Sequence, residues 1–353
     1  MKRYILLLSI LIVILSVGYL FLIAREQVLK EGLTRNRFSN LIFVNKKEDV
    51  VVQSRHEELS IESLKKADLI NAPLQIERFI DQRKGYKRYI AYYFSEGLKI
   101  YGLLKVPKES GEELQKYPAV VFIHGYVPPK EYDTIWRYDR YTDVLAKEGY
   151  IVFKPDLRGH ADSDGTPVGG YVSNAYTIDV LNAIEALKRY EKTEAENIGI
   201  WGHSMGGFLG LRVLSVRDDI KAAVFWAGVM GSYVDLAERW LALTSALPEH
   251  AVSWRDDFIK KFGIPDEDNR FWKEISATSY LQGINTPIQL QHARTDEHVP
   301  VEFSIDLAEG LEQLGKEVEL ILYDHDDHNL NINFQKAAES TVEFFNKYMK
   351  SAE

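Results

Sequence analysis

The sequence predicts an α/β protein with a mostly parallel, doubly wound sheet, an antiparallel leading hairpin and a helical cap insertion. First, short apolar segments alternate with amphipathic helical segments from about residue 119 onward, which is the pattern of strands joined by helices. Second, two segments rich in aromatic and β-branched residues, Tyr86 to Phe94 and Lys99 to Val106, flank Gly97. Third, the segment 231–280 interrupts the alternation with a largely helical pattern.

The positions of proline and glycine and the spacing of apolar residues predict the individual strands and helices. Pro118, Pro155 and Pro287 border strands, while Gly149 and Gly315 follow the ends of helices. The predicted strands after the hairpin are Ala119 to Ile123, Ile151 to Lys154, Ile198 to Trp201, Ala222 to Trp226, Ile288 to Gln291 and Val318 to Tyr323. The predicted helices are Tyr138 to Lys147, Thr177 to Tyr190, Gly206 to Val213, Phe303 to Leu314 and Phe334 to Met349.

The insertion at about 231–280 contains three tryptophans, Trp240, Trp254 and Trp272. Open α/β sheets bind their ligands at the carboxyl ends of the strands, so we expect this insertion to form a cap over that edge. Trp240 is accordingly a candidate wall of a substrate pocket. The alternative is an insertion that packs on a remote side of the sheet.

Composition narrows the class of protein. The chain has 353 residues, of which 46% are hydrophobic and 12% aromatic, so it has enough apolar material for a substantial core. Its net charge of -9 does not favour a nucleic-acid partner. Because there is no cysteine, disulfides, thiolate metal sites and a cysteine nucleophile are all excluded.

The N-terminal segment predicts a membrane anchor. Lys2 and Arg3 precede an uncharged apolar segment, Tyr4 to Ala24, which is long enough to span a bilayer as a helix. The flanking charges favour an N-terminus in the cytoplasm and the rest of the chain outside it. The alternative is a signal peptide that is cleaved, which would release a secreted protein. Residues 1–24 are therefore predicted as a signal anchor and residues 25–72 as a loosely packed spacer.

The central motif is Gly202-His203-Ser204-Met205-Gly206, which lies between a predicted buried strand and a predicted helix. This G-x-S-x-G pattern in a strand–turn–helix context is that of a nucleophile elbow, in which a strained turn projects the serine hydroxyl from the sheet. The glycines let strand and helix approach closely. The following helix directs its N–H groups toward the site, where they favour developing negative charge. Ser204 is therefore the candidate nucleophile.

A serine hydroxyl needs a base, and the base needs an orienting acid. In folds with this elbow, both follow the nucleophile in the chain. Asp296 comes after the strand Ile288 to Gln291 and is the candidate acid, with Glu297 as its competitor.

The loop after the last predicted strand offers two histidines, His325 and His328. We favour His328 as the base because it lies farther into the loop, just before the final helix. The His and Asp residues of this loop also permit a metal site, but no second ligand-bearing segment is evident, so we expect neither a metal nor another cofactor.

The oxyanion of an acyl-transfer intermediate needs two backbone donors. The N–H of Met205, directly after the nucleophile, is one candidate. The other is the N–H of Tyr126, which follows His124-Gly125 in the loop after the strand Ala119 to Ile123. We interpret His124 as a structural histidine, and we place the side chain of Tyr126 in the substrate pocket.

These motifs together resemble the α/β-hydrolase superfamily, and more narrowly the prolyl-oligopeptidase-like domain, the branch with acylaminoacyl peptidases and related esterases. The motifs are His124-Gly125, Pro155 to Ser163, Gly202 to Gly207, Asp296 before Val299-Pro300, and Asp327-His328-Asn329. The resemblance covers residues 73–353, which we predict to be the catalytic domain. It implies an α/β-hydrolase fold and serine hydrolase chemistry. Two departures are a short N-terminal segment where those peptidases carry a β-propeller, and Tyr126 in place of a second glycine.

The predicted function is cleavage of a carboxylic ester by a serine hydrolase through an acyl-enzyme intermediate, with a small ester or a short peptide as substrate. One alternative is a serine peptidase that cleaves peptide or aminoacyl amide bonds, as the resemblance implies. A second alternative, from another class, is a catalytically silent fold that serves as a membrane-tethered binding module.

Overall fold

A nine-stranded sheet is the centre of the computed structural model, which describes residues 59–108, 115–240 and 259–350. The nine strands are β1 (Gln75–Gln82), β2 (Tyr86–Ser95), β3 (Leu98–Pro107), β4 (Tyr117–Ile123), β5 (Ile151–Pro155), β6 (Thr193–His203), β7 (Ile220–Trp226), β8 (Ile288–Ala293) and β9 (Val318–Tyr323). Their order across the sheet is β1-β2-β3-β5-β4-β6-β7-β8-β9.

The strand directions confirm the predicted fold class. Across the sheet, the pairs β1–β2, β2–β3 and β3–β5 are antiparallel. All later pairs in the sheet order, from β5–β4 to β8–β9, are parallel. The predicted hairpin is β2 and β3. Strand β1 extends it by one edge strand that the prediction did not include, because most of its residues are exposed and leave no buried pattern to detect. The carboxyl ends of the parallel strands meet at one edge, where ligands bind in such sheets.

Eight α-helices lie wholly within these residues. They are α1 (Ile61–Lys65), α2 (Asp139–Lys147), α3 (Ala175–Lys188), α4 (Met205–Leu214), α5 (Tyr233–Asp235), α6 (Arg270–Ile275), α7 (Glu302–Gln313) and α8 (Phe334–Met349). Helices α2 and α8 pack with Trp201 and Trp226 on one face of the sheet, and α3, α4 and α7 pack on the other. The sheet therefore carries helices on both faces, as expected for strands that alternate with helices.

The segment before the sheet packs more tightly than predicted. Leu59, Ile61 and Leu64 are buried in the same core cluster as α3 and α4. Ser60 caps α1, since its Oγ accepts a hydrogen bond from the N–H of Ser63 at 3.1 Å. The end of the predicted spacer therefore packs with the core of the predicted catalytic domain. Helix α1 has only two buried apolar side chains, which are too few to predict from the sequence that it packs against the core.

A buried arginine joins this segment to the insertion. Arg212 of α4 donates hydrogen bonds to the carbonyl oxygens of Leu59 and Ile275, each at 2.6 Å, and to the side chain of Asn174. Burial lowers the pKa of its guanidinium, which is 1% exposed. The backbone carbonyls therefore hold the two segments against α4.

The described parts of the insertion lie along α4 and α7. Helix α5 continues as a π-helix, Leu236–Trp240, and α6 is followed by a 3₁₀ helix, Ala277–Gly283. Tyr233 packs edge-on against Phe208 of α4, with ring centroids 6.0 Å apart, and Arg239 pairs with Asp306 of α7. Residues 241–258 and the side chain of Trp240 lie outside the described part, so the cap over the site and the pocket role of Trp240 stay predictions.

The predicted anchor, Tyr4 to Ala24, also lies outside the described residues. Among the helices of residues 59–108, 115–240 and 259–350, none has the length and hydropathy that a membrane crossing requires.

Ile61→Ala is expected to lower the free energy of unfolding by about 2 to 5 kcal/mol, because it leaves a cavity where a fully buried side chain packed. Chemical denaturation measures the change. Glu62→Ala is the matched control on the same helix, since this side chain is half exposed and its pair with Lys65 is worth at most about 1 kcal/mol. Equal effects of the two substitutions would show that α1 does not belong to the core.

Candidate active site

Ser204 lies on a sharp turn between β6 and α4. Its backbone has φ 55° and ψ −117°, a conformation that is strained for a residue with a side chain. A Cβ atom on Gly206 would overlap the carbonyl group of Ile123, and one on Gly202 would lie 2.5 Å from the carbonyl oxygen of Gly206. Only glycine fits at both positions, so the close approach of strand and helix explains the two glycines of the motif.

Backbone hydrogen bonds hold this turn in place. The N–H of Ser204 donates to the carbonyl oxygen of Trp226 at 3.0 Å. The carbonyl oxygen of Ser204 accepts from the N–H groups of Gly207 at 2.9 Å and Val229 at 3.1 Å. Met205 is the first residue of α4, where backbone N–H groups have no partner within the helix. The turn therefore presents Ser204, which is partly exposed, beside a helix N-terminus.

Asp296 and His328 are hydrogen-bonded to each other. The Nδ1 of His328 lies 2.8 Å from the Oδ2 of Asp296, and the carboxylate is fully buried. Its Oδ1 accepts the N–H groups of His298 at 2.8 Å and Val299 at 3.0 Å. The ring of His328 lies beside the elbow, with its centroid 4.8 Å from that of His203. The structure thus brings His328 together with Asp296 next to the turn that carries Ser204.

The competing residues lie elsewhere. Glu297 faces the exposed side chain of His298, with Nε2 and Oε1 3.5 Å apart. His325 is exposed, whereas His328 is buried to 8% exposure. Within the last loop, geometry thus favours the histidine that was selected from the sequence.

A second histidine, His292, bonds the same carboxylate oxygen. Its Nε2 lies 3.0 Å from the Oδ2 of Asp296, and its Nδ1 lies 2.8 Å from the Oγ of Ser304 in α7. The sequence analysis assigned it no role, although its place at the end of β8, four residues before Asp296, was a signal that it faces the same loop. Both histidine rings thus meet at one oxygen of the buried carboxylate.

These contacts set the charge of Asp296. Burial by itself raises the pKa of a carboxyl group, but the hydrogen bonds from His292 and His328 outweigh burial and hold the pKa of Asp296 well below its usual range. The residue is therefore a carboxylate throughout the neutral range, which favours the tautomer of His328 with its proton on Nδ1.

The loop of Asp296 and the loop of His328 are also joined directly. The Oγ1 of Thr295 donates to the carbonyl oxygen of Asp326 at 2.7 Å and accepts the N–H of Asp326 at 3.1 Å. The carboxylate of Asp326 in turn accepts the backbone N–H groups of Ile332 and Asn333. The two loops are therefore hydrogen-bonded to each other beside the pair of His328 and Asp296.

The loop after β4 passes against the nucleophile. A Cβ atom on Gly125 would lie 3.0 Å from the Cβ of Ser204, so glycine permits this approach. The N–H of Gly125 donates to the hydroxyl of Tyr138 at 3.1 Å and is thereby occupied. The next residue, Tyr126, has a partly exposed side chain. His124 is fully buried, which lowers its pKa to about 3 and fits the structural role expected of it.

The arrangement has the parts that acyl transfer requires: a serine on a strained turn, a histidine–carboxylate pair beside it and a helix N-terminus for developing negative charge. Among the described residues, no group of three or more His, Asp or Glu side chains has the arrangement of a metal site.

Asp296→Asn is expected to lose stability in a pH-dependent way. Because the pKa of Asp296 is depressed in the folded chain, its charged form stabilises the fold above the ordinary value of 3.8, and this contribution is lost as the pH falls through the folded value. The difference in unfolding free energy between wild type and variant should be constant from about pH 5 to 8 and shrink below about pH 4.

Urea denaturation at several pH values measures this difference. Asp324→Asn is the control, because Asp324 lies in the adjacent loop with its side chain 82% exposed, and it should cause little change at any pH. A difference for Asp296→Asn that grows as the pH falls would contradict the expectation.

The model of the prolyl oligopeptidase family matches residues 136–352. The uncharacterized peptidase YuxL of Bacillus subtilis is 26% identical over 251 residues, which are 69% of this chain but 35% of YuxL. The chain therefore spans about a third of that relative's length.

Two solved structures share the fold. The acylaminoacyl peptidase of Pyrococcus horikoshii aligns with a TM-score of 0.58 and 22% identity over 77% of this chain and 43% of that one. Acetyl xylan esterase 1 from Thermoanaerobacterium sp. aligns with a TM-score of 0.62 and 16% identity over 85% of this chain and 98% of that one. The family match covers more than half of the chain and supports an enzyme over a silent binding module. The chain belongs to the prolyl oligopeptidase family.

Proposed function

We propose that the protein hydrolyses carboxylic esters through an acyl-enzyme intermediate formed on Ser204. The observation that carries this proposal is the buried hydrogen bond between His328 and Asp296 beside the strained turn of Ser204. A serine hydroxyl becomes an effective nucleophile only when such a base is positioned to take its proton.

His328 is the general base in the proposed reaction. Its Nε2 takes the proton of Ser204 as the hydroxyl oxygen attacks the carbonyl carbon, and it returns the proton to the leaving alcohol. Water then attacks the acyl-enzyme with His328 again as the base. Asp296 remains ionised and stabilises the imidazolium that forms in each step, because two backbone N–H groups and His292 fix its orientation.

The proposed oxyanion donors are the N–H groups of Met205 and Tyr126. Met205 begins α4, so its N–H and the positive end of the helix dipole both favour the tetrahedral oxyanion. Tyr126 follows Gly125, which lies against Ser204, while the N–H of Gly125 itself is occupied by Tyr138. This occupation favours Tyr126 as the second donor, and its side chain then borders the acyl pocket.

The preference for an ester over an amide rests on a fold-level analogy. The described domain spans nearly the whole of an acetyl xylan esterase and less than half of an acylaminoacyl peptidase. Peptidase activity is the second candidate, since the family and the relative in Bacillus subtilis are described as peptidases.

Ser204→Ala is expected to abolish covalent labelling by a fluorophosphonate and to lower turnover by about 10⁶-fold, as in other serine triads. His328→Ala should be as damaging, because the two residues act as one unit. His325→Ala is the matched control, since this exposed histidine lies three residues away in the same loop, and its turnover should be close to wild type. Loss of activity in His325→Ala alone would move the base to that residue.

An unactivated ester is expected to have a higher kcat/KM than an amide with the same acyl group. This ratio reports transition-state binding from the free enzyme, so it compares the two bonds on an equal basis. The measurement uses an ethyl ester and the matching aminoacyl amide, since p-nitrophenyl esters are too reactive to discriminate. Amide cleavage at or above the rate of the ester would favour the peptidase.

We also propose that Tyr4 to Ala24 anchors the chain in a membrane with the catalytic domain on the extracytoplasmic side. The length of this apolar segment and the cationic Lys2 and Arg3 before it support the proposal. The full chain should remain with membranes after an alkaline wash. Recovery of the protein in the supernatant with a new N-terminus near Tyr19 would indicate a cleaved signal instead.

A further inference from the structure

His203, the residue before the nucleophile, is hydrogen-bonded through both ring nitrogens although it is almost fully buried. Its Nε2 lies 3.1 Å from the carbonyl oxygen of His328. Its Nδ1 lies 3.0 Å from the hydroxyl oxygen of Tyr138. His203 occupies the first x of the G-x-S-x-G motif, and its side chain connects the loop of His328 to the start of α2. The proposed reaction assigns it no role.

The direction of these hydrogen bonds follows from chemistry. A carbonyl oxygen only accepts, so the Nε2 of His203 carries the proton that it donates to His328. Burial, and then the neighbouring His328, lower the pKa of His203 to about 3, so the ring is neutral and its Nδ1 is an acceptor. The hydroxyl of Tyr138 must then donate to this Nδ1, and its oxygen is left to accept.

The oxygen of Tyr138 accepts from the oxyanion loop. The N–H of Gly125 donates to it at 3.1 Å, one residue before the proposed donor Tyr126. Tyr138 holds this position with a left-handed backbone, φ 61° and ψ 18°, which is uncommon for a bulky residue and persists only where its surroundings require it. A continuous chain of three hydrogen bonds thus joins Gly125, Tyr138, His203 and the backbone of His328.

We propose that Tyr138 and His203 are positioning residues that set the distance between the oxyanion loop and the base. The inference rests on the proposed function, because it concerns how two parts of that site are held relative to each other. The chain links the backbone beside the oxyanion donor Tyr126 to the backbone of His328 without contact to the substrate. The oxyanion and the imidazolium form together in the transition state, so this chain of hydrogen bonds stabilises the transition state and not the bound substrate.

Four variants test this proposal with p-nitrophenyl acetate as substrate and phenylboronic acid as a tetrahedral inhibitor. Tyr138→Phe and His203→Leu each break the chain, and each should lower kcat by about 10- to 100-fold with KM nearly unchanged, since small displacements of catalytic groups have effects of this size. The Ki of phenylboronic acid should rise in parallel. His203→Gln, which keeps one donor and one acceptor, should recover part of the loss.

Tyr150→Phe is the matched control, because it removes a tyrosine hydroxyl that is hydrogen-bonded to Asn346 away from the site. Its kcat and Ki should stay within about twofold of wild type. A change in the kcat and Ki of Tyr138→Phe no larger than in this control would overturn the positioning proposal. If Ser204→Ala then still abolishes fluorophosphonate labelling, the proposed function stays in place. Unchanged labelling in Ser204→Ala would overturn both.

Nitrogen-15 NMR of the His203 ring gives a readout that does not depend on catalysis or on a variant that folds. The proton is expected on Nε2. A proton on Nδ1 would reverse the hydrogen bond with Tyr138 and overturn the proposed order of donors and acceptors from Gly125 to His328.

Discussion

The carboxylate of Asp296 is the interaction on which the active-site edge depends. It accepts four hydrogen bonds, from two histidine rings and two backbone N–H groups, and it has no exposed surface. Through His292 it reaches Ser304 in α7, and through His328 it reaches the loop before α8. A single buried charge therefore organises the segments that follow β8 and β9, and it remains ionised because every donor that surrounds it favours the charged form.

Much of this architecture was readable from the sequence because parallel strands are buried on both faces. Strands β4 to β9 appear as short apolar segments, and the G-x-S-x-G turn carries its own steric explanation. Asp296 and His328 followed from chain order. In contrast, β1 is largely exposed and has no hydrophobic alternation, so it was not predicted. A helix beginning near Ser60 was expected in the spacer, but its packing against the core was not, because α1 contributes only a few buried side chains.

The residues that sequence reasoning missed act through contacts between distant segments. His292, His203 and Tyr138 lie in three different parts of the chain, and their roles depend on partners between 4 and 125 residues away. No local pattern encodes such a contact. His203 is an example. The G-x-S-x-G motif specifies the nucleophile, but it does not specify that the side chain before the serine contacts the loop of His328.

The hydrogen bonds of Arg212 have a consequence for the order of folding. They join α4 to a carbonyl 153 residues earlier and to another 63 residues later in the chain. Contacts with such large sequence separation form late, because much chain entropy is lost before they are made. We expect α1 to reach its final packing only after Ile275 has been synthesised, so that during translation the apolar face of α1 stays available to chaperones.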